Sequence, residues 1–310
     1  MEQSEKHHET RAILLMALFF VIIQGLALFL LQPFEHAGIQ PAFDNPDDFA
    51  NILYILAIML IFTLVILFIA KYWKKQVIQF IILGAIGYTA FYAFFLPLIV
   101  LALPHVPAAF ILGISLLLAI LLVILLYKYP EWYIIDLCGV VIGTSAIIVF
   151  GISLGVLLVL VLLICLAIYD AISVYKTKHM IDLADTVMDL KLPVLLVVPK
   201  IRKYSILRET KRLKESIDEG EERDAFFMGL GDIVMPGILV VAVYANVPNG
   251  LPVSIGTLLG TLVGYAILMR YVLKGNPQAG LPLLCGGAIL GYVVSSFLVF
   301  GTLVGLHLPF

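Results

Sequence analysis

The stretch VLLVLVLLICLAIYDAISVY, residues 156–175, places one acidic side chain, Asp170, inside an otherwise apolar run. A second stretch, AFFMGLGDIVMPGILVVAVYANV at residues 225–247, does the same with Asp232. Neither run contains a lysine or arginine to neutralise its carboxylate. An unpaired charge in hydrocarbon costs several kcal/mol, so an acid in such a position indicates a functional site unless it has a partner. The partner that the sequence offers to each aspartate is the other one.

The composition indicates what surrounds the two aspartates. Hydrophobic residues make up 62% of the 310 residues, charged residues make up 13%, and the mean hydropathy is +1.10. These values are typical of a polytopic membrane protein. Because an apolar run of about 20 residues can cross a bilayer, the fold class predicted is all-α with nine transmembrane helices. The nine runs are Ala12–Leu31, Phe49–Ala70, Gln76–Pro97, Pro107–Tyr127, Tyr133–Gly151, Ile152–Tyr175, Ala225–Val247, Leu251–Leu273 and Gly280–Gly305.

The basic residues predict how these segments are oriented. All 19 of them lie before the first segment, after the second, fourth or sixth, or at the end of the eighth, which is one side of the membrane in a nine-helix alternation. The positive-inside rule places that side and the N-terminus in the cytoplasm, and the C-terminus outside. The chain then divides into a six-helix part at 1–175, a cytoplasmic loop at 176–224 and a three-helix part at 225–310. We expect a multi-pass protein of the cell membrane.

Asp170 and Asp232 fall at similar depths in the bilayer. Asp170 precedes Lys176 by about 9 Å on an inward helix, and Asp232 follows Asp224 by about 12 Å on the next, outward helix. Two carboxyls a few Å apart in low dielectric share one proton, so one can activate a water while the other donates to a carbonyl oxygen. Such a pair hydrolyses peptide bonds without a metal or a cofactor. The alternatives are a polar contact between helices and an ion or proton site in a transporter or cation leak channel.

Two short motifs surround the aspartates. The pair Tyr169-Asp170 lies in the sixth predicted helix, Gly229-Leu230-Gly231-Asp232 lies in the seventh, and a long hydrophilic loop separates them. On these motifs and this order of helices, the chain resembles the GxGD intramembrane aspartyl proteases, the presenilin and signal peptide peptidase family. Because the chain is compact and has no long divergent loop, it resembles a prokaryotic, archaeal presenilin homologue within that family. The resemblance implies that Asp170 and Asp232 are the catalytic pair. It gives a supporting role to Tyr169, Gly229, Leu230 and Gly231.

Glycine and proline residues near the acids have a physical interpretation of their own. Gly229 and Gly231 leave room beside the acid for a substrate backbone or a neighbouring helix. The sequence Ala279-Gly280-Leu281-Pro282 stands where the family carries a Pro-Ala-Leu motif, and only its last two residues match. Its glycine and proline delay the ninth helix and leave backbone groups without helical partners. We expect Gly280, Leu281 and Pro282 to bind an extended substrate.

The loop between the two aspartates contains two further elements. Ile181–Leu190 alternates apolar and acidic residues as an amphipathic surface helix does. The apolar run Val194, Leu195, Leu196, Val197 and Val198 lies between two prolines and predicts a strand. We expect this strand to pair edge-on with an unwound substrate, and the alternative is a plug at the membrane surface.

Other chemistries find little support in the sequence. No His-Glu-x-x-His motif is present, so we predict no metal and no cofactor. The Gly-x-Ser-x-Gly pattern at residues 151–155 lies between two helices and predicts a packing turn around Ser153. The glycines Gly256, Gly260 and Gly264 predict close helix packing. Asp136 lies close to the end of its helix, where we expect it to reach the membrane interface, and it is left out of the site.

The sequence thus predicts an intramembrane aspartyl endopeptidase that cleaves transmembrane helices. Its expected partners are the membrane lipid and single-span substrates with an external N-terminus, and nucleic acid is not among them. We expect no obligatory partner subunit, and a homo-oligomer is left open. The competing functions are the transporter or cation leak channel and a protease similar to prepilin peptidases, which also use a Gly-x-Gly-Asp acid.

Overall fold

The computed structural model describes residues 2–36, 41–43, 45–72, 75–102, 105–174, 195–201, 204–205, 224–273 and 278–306. These residues form nine helices and two strands. The predicted helix Ile181–Leu190 lies outside the described residues, as does Val194. In chain order the elements are α1 (Glu2–His36), α2 (Ala50–Tyr72), α3 (Lys75–Ala102), α4 (Ala108–Lys128), α5 (Trp132–Ser153), α6 (Val156–Ile172), β1 (Leu195–Pro199), β2 (Ala225–Gly229), α7 (Leu230–Asn246), α8 (Leu251–Val272) and α9 (Gly280–Phe300).

Each of the nine apolar runs corresponds to one helix, and some of the helices extend beyond their runs. Six of the helices, α1, α3, α4, α5, α8 and α9, are long and apolar enough to cross a membrane. Helices α6 and α7 are also apolar but have 17 residues each, which corresponds to about 25 Å. The chain is therefore a mostly helical, multi-pass membrane protein, while the count of nine crossings and the orientation of the termini stay predictions.

Helix α7 lies at the centre of the bundle. It packs against α1, α5, α6, α8 and α9, and its residues from Ile238 to Val243 are all buried. A helix that is apolar on every side is expected inside a protein and not at its surface. The buried Gln24 side chain of α1 donates a hydrogen bond to the Ile233 carbonyl at 3.3 Å. The start of α7, where Asp232 lies, is thereby held on several sides.

The mostly helical fold contains one small sheet, and its second strand corrects the prediction for residues 225–229. Residues Ala225–Gly229, predicted as the start of a membrane helix, form β2 and pair antiparallel with β1, with Leu195 opposite Gly229 and Pro199 opposite Ala225. Helix α7 therefore begins five residues later than its apolar run. A short apolar stretch next to a long one has no periodicity that separates strand from helix. Its partner strand, far away in the sequence, decides its conformation.

The turn between α5 and α6 has the packing role that the sequence predicts. Ser153 is fully buried, accepts a hydrogen bond from the Ala42 backbone N–H at 2.8 Å and donates one to the Val149 carbonyl. The Gly155 backbone N–H donates to the Pro46 carbonyl at 2.9 Å. This serine therefore ties the turn to the loop before α2.

Helices α8 and α9 approach each other closely along their glycines. A Cβ atom placed on Gly260 would lie 2.7 Å from the Cα of Gly291, and one placed on Gly291 would lie 2.9 Å from the Cα of Gly260. A Cβ atom placed on Gly264 would likewise clash with the backbone of Leu283. The predicted packing role of the glycine repeat is confirmed. This contact sets the position of the first turn of α9.

Replacing Gly260 with alanine should loosen this contact. The new methyl group would press on the backbone of α9, and such overpacking costs about 1–3 kcal/mol. We expect a lower thermal unfolding midpoint for Gly260→Ala in detergent than for the parent. The matched control is Gly286→Ala, since a Cβ there has nothing within 4 Å. Equal midpoints for the two variants would contradict the close packing of α8 on α9.

Candidate active site

Asp170 lies in the last turn of α6 and is buried, with 4% of the residue exposed. Its Oδ2 accepts a hydrogen bond from the backbone N–H of Leu281 at 3.1 Å. The backbone amide of Gly280 also interacts with this carboxylate. Both amides belong to the first turn of α9. The Asp170 side chain thus connects the end of α6 to the start of α9.

The start of α9 needs such an acceptor. The first amides of a helix have no partners inside the helix, and the residue in the capping position, Ala279, has no side-chain oxygen to offer. Asp170 supplies the oxygen that a capping Ser or Asp would otherwise provide, and a carboxylate at a helix N-terminus is also favoured by the helix dipole. The Leu281 amide, which the sequence suggested for a substrate, here binds Asp170.

Asp232 lies in the first turn of α7 and is partly exposed. It borders a cavity of about 130 Å³ and interacts electrostatically with Asp170. A Cβ atom on Gly280 would lie 2.9 Å from the Oδ2 of Asp232. Gly280 therefore contacts one aspartate through its amide and leaves room for the other. The structure brings the two predicted catalytic residues together at the first turn of α9.

The supporting residues implied by the motifs have different surroundings. Tyr169 has 67% of its surface exposed, and because successive helical residues point about 100° apart, the structure does not bring it to the carboxyls. Leu230 is buried and packs on α5, with its Cδ1 3.2 Å from where a Cβ on Gly143 would be. A Cβ on Gly229 would lie 3.5 Å from the Asp232 carboxylate, and one on Gly231 would have nothing within 4 Å. Open space thus lies beside Gly231, one residue before Asp232.

The first strand, β1, lies next to α5. In an antiparallel ladder the backbone groups of alternate residues point to opposite sides. The Lys200 N–H donates to the Asp224 carbonyl at 2.7 Å, so even-numbered residues of β1 face β2 and Val197 faces away from it. The N–H of Val197 donates to the Oδ1 of Asp136 at 2.8 Å. One edge of β1 therefore pairs with β2, and its other edge is bonded to α5.

The position of Asp136 differs from the one expected from the sequence. We expected it to reach the membrane interface, but it is 2% exposed and binds β1. The sequence signal was present, because Asp136 is a third acid within an apolar run. The distance from Glu131 along the helix gives the position of Asp136 within α5 but does not show that β1 covers this end of the helix.

The cavity beside Asp232 is bordered on one side by β2. The residues of β2 that line it run from Phe226 to Gly229, and residues of α8 line it as well. Residues from α1, α8 and the start of α9 complete the lining: Met16, Tyr265, Leu268, Met269, Val272, Gln278 and Gly280. Among the described residues, no group of three or more His, Cys, Asp or Glu side chains could hold a metal ion.

Comparison with known proteins agrees with this geometry. The family described as signal-peptide peptidase, presenilin aspartyl protease matches residues 16–302. The chain belongs to this family. Two crystal structures of a presenilin family intramembrane aspartate protease are similar to it. The structure in space group C222 has 34% identity and a TM-score of 0.66, and the one in space group P2 has 38% and 0.68; both alignments cover 92% of this chain and 97% of the other. No curated protein matches.

Membership fixes the class of reaction. The protease is a hydrolase of the aspartic endopeptidase class, embedded in a membrane, as the motifs around Asp170 and Asp232 predicted. The sequence did not indicate β2, the bond between Asp136 and β1, or the capping of α9 by Asp170. All three depend on contacts between residues far apart in the chain.

Proposed function

We propose that Asp170 and Asp232 form the catalytic dyad of this protease and hydrolyse peptide bonds within membrane-spanning helices. The observation that supports the proposal is their convergence on Gly280 and Leu281 from two different helices. Other ionisable groups in apolar segments, such as Asp136, lack this arrangement. Both alignments with the presenilin family proteases extend over most of the chain, which agrees with a shared mechanism.

The chemistry that we propose needs only the two carboxyls and a water. One aspartate, as the carboxylate, removes a proton from the water, and the water oxygen attacks the scissile carbonyl carbon. The other aspartate, in its protonated form, donates a proton to the carbonyl oxygen. The tetrahedral intermediate then collapses, the C–N bond breaks and the leaving amine takes a proton from the dyad. The open space at Gly231 and the cavity beside Asp232 give room for the substrate backbone.

The substrate must be extended at the site, because the carbonyls of an intact helix are engaged in its own hydrogen bonds. We propose that it adds as a strand to β2. The outer edge of β1 is bonded to Asp136 at Val197, and β2 borders the cavity beside Asp232. Residues 195–198 then support the sheet from behind instead of meeting the substrate directly. Strand addition gives affinity through the backbone and places little demand on the substrate sequence.

The preferred substrates should be single-span proteins with an external N-terminus. This proposal rests on the distribution of basic residues, which by the positive-inside rule favours a cytoplasmic position for the loop between α6 and α7. The dyad then lies toward the cytoplasmic side of a cell membrane. The protease is also proposed to act without partner subunits.

The dyad is tested with purified protein and a single-span reporter in detergent. We expect the parent to cleave, and Asp170→Asn and Asp232→Asn each to lose more than about 10²-fold in rate, since the amide cannot transfer the proton. Mass spectrometry of the products measures this, and thermal unfolding confirms folding. The control is Asp48→Asn, in an exposed loop. Equal activity in all variants would refute the dyad, and ion flux through liposomes would then test the transporter or channel alternative.

The strand proposal predicts a period of two along the substrate. Synthetic reporters with a single N-methylated residue at successive positions beside the scissile bond lose one backbone N–H each. Alternate positions should reduce cleavage roughly two- to tenfold, as expected for one lost hydrogen bond, and the positions between them should have little effect. Control reporters carry the extra methyl on the side chain instead. A smooth dependence on position would contradict pairing with β2.

The orientation is checked with tags on both termini. In intact cells, a tag after Phe310 should be accessible from outside and a tag before Met1 only after permeabilisation. The reversed accessibility would overturn the preference for substrates with an external N-terminus.

A further inference from the structure

A third buried acid, Asp136, lies outside the dyad and binds the sheet. It is one turn into α5, 2% exposed, and its Oδ1 accepts the Val197 N–H at 2.8 Å. Within the described residues its Oδ2 has no hydrogen-bond partner. Burying a carboxyl group with only one of its oxygens bonded is costly. A neutral apolar residue would pack at this place at lower cost, so the contact with Val197 needs an explanation in terms of function.

A second contact on the same face of α5 holds the same strand. A Cβ on Gly139 would lie 2.8 Å from the Cδ2 of Leu196, so the absence of a side chain there makes a place for that leucine. Asp136 and Gly139 are three residues apart and therefore share one face of the helix. One binds the backbone of β1 and the other receives a side chain of the adjacent residue. Together they determine where β1 lies along α5.

The position of β1 determines that of β2 and of the site. Val197 lies opposite Phe227, and Leu195 lies opposite Gly229, which is three residues before Asp232. A slip of β1 by one residue would turn its buried side chains to the other face of the sheet. A bond to a backbone amide at the centre of the strand opposes such a slip. A side-chain contact alone is less specific, since Leu196 and Leu195 are the same residue type.

We propose that Asp136 is a positioning residue that fixes the register of the β1–β2 sheet relative to the dyad, and thereby selects which peptide bond of the substrate is cut. It acts through Val197 and does not touch the substrate. This role rests on the proposed addition of the substrate to β2.

The test compares Asp136→Leu, which removes the acceptor, with Asp136→Asn, whose amide oxygen can still accept the Val197 N–H. Without substrate, hydrogen exchange in the peptide 195–201 should be faster by about fivefold or more in the leucine variant and near the parent in the asparagine variant. With a single-span reporter, mass spectrometry should show cleavage spread to neighbouring bonds in Asp136→Leu and the parental pattern in Asp136→Asn. The control is Ser145→Ala, whose hydroxyl bonds only within α5.

Val197→Pro removes the same hydrogen bond from the other side and serves if the leucine variant does not fold. Its missing N–H faces away from β2, so the ladder keeps its bonds. It should also spread cleavage, and combining it with Asp136→Leu should add nothing further. Unchanged exchange at 195–201 in Asp136→Leu, or an unchanged cleavage pattern in either variant, would overturn the proposal. If the parent itself does not cleave, the proposed function fails and this role fails with it. If the parent cleaves and the variants keep its cleavage pattern, only the role of Asp136 fails.

Discussion

The hydrogen bond from the Leu281 backbone N–H to the Asp170 carboxylate connects the start of α9 to the proposed active site. At membrane depth an unpaired backbone amide costs several kcal/mol, so irregular backbone is tolerated only where protein groups satisfy it. The start of α9 has no capping side chain of its own, and Asp170 of α6 accepts the hydrogen bond instead. The group proposed to take part in catalysis thus also stabilises the helix that borders the site.

The backbone groups of the sheet are likewise satisfied by other parts of the protein. β1 and β2 satisfy each other along one edge, and the acid of α5 accepts the amide that points away. Two buried carboxyls, Asp170 and Asp136, therefore each bind an amide from a segment distant in sequence. Asp232, which lies between these segments, is the more exposed of the two acids proposed for the dyad. Asp232 borders a cavity, whereas Asp170 and Asp136 are each held by a hydrogen bond to a backbone amide.

The sequence predicted those features that depend on local composition. The nine apolar runs each correspond to a helix, the strand at Leu195–Pro199 lies within one residue of its predicted place, and the two aspartates converge. It failed for β2, because Ala225–Gly229 continues an apolar run and takes its conformation from a partner about 30 residues earlier in the chain. It failed for Asp136 for the same reason, since the amide that this acid binds comes from another element.

The junction between β2 and α7 explains why Asp232 occupies the first turn of its helix. β2 ends at Gly229 and α7 begins at Leu230, so Asp232 follows the strand by less than one helical turn. A substrate strand bound along β2 would end beside this carboxyl without any further bend. Leu230 packs into the space beside Gly143 and holds the junction on α5, the helix that also binds β1. The rigid contacts of α5 therefore set both the strand that would bind the substrate and the acid that would cut it.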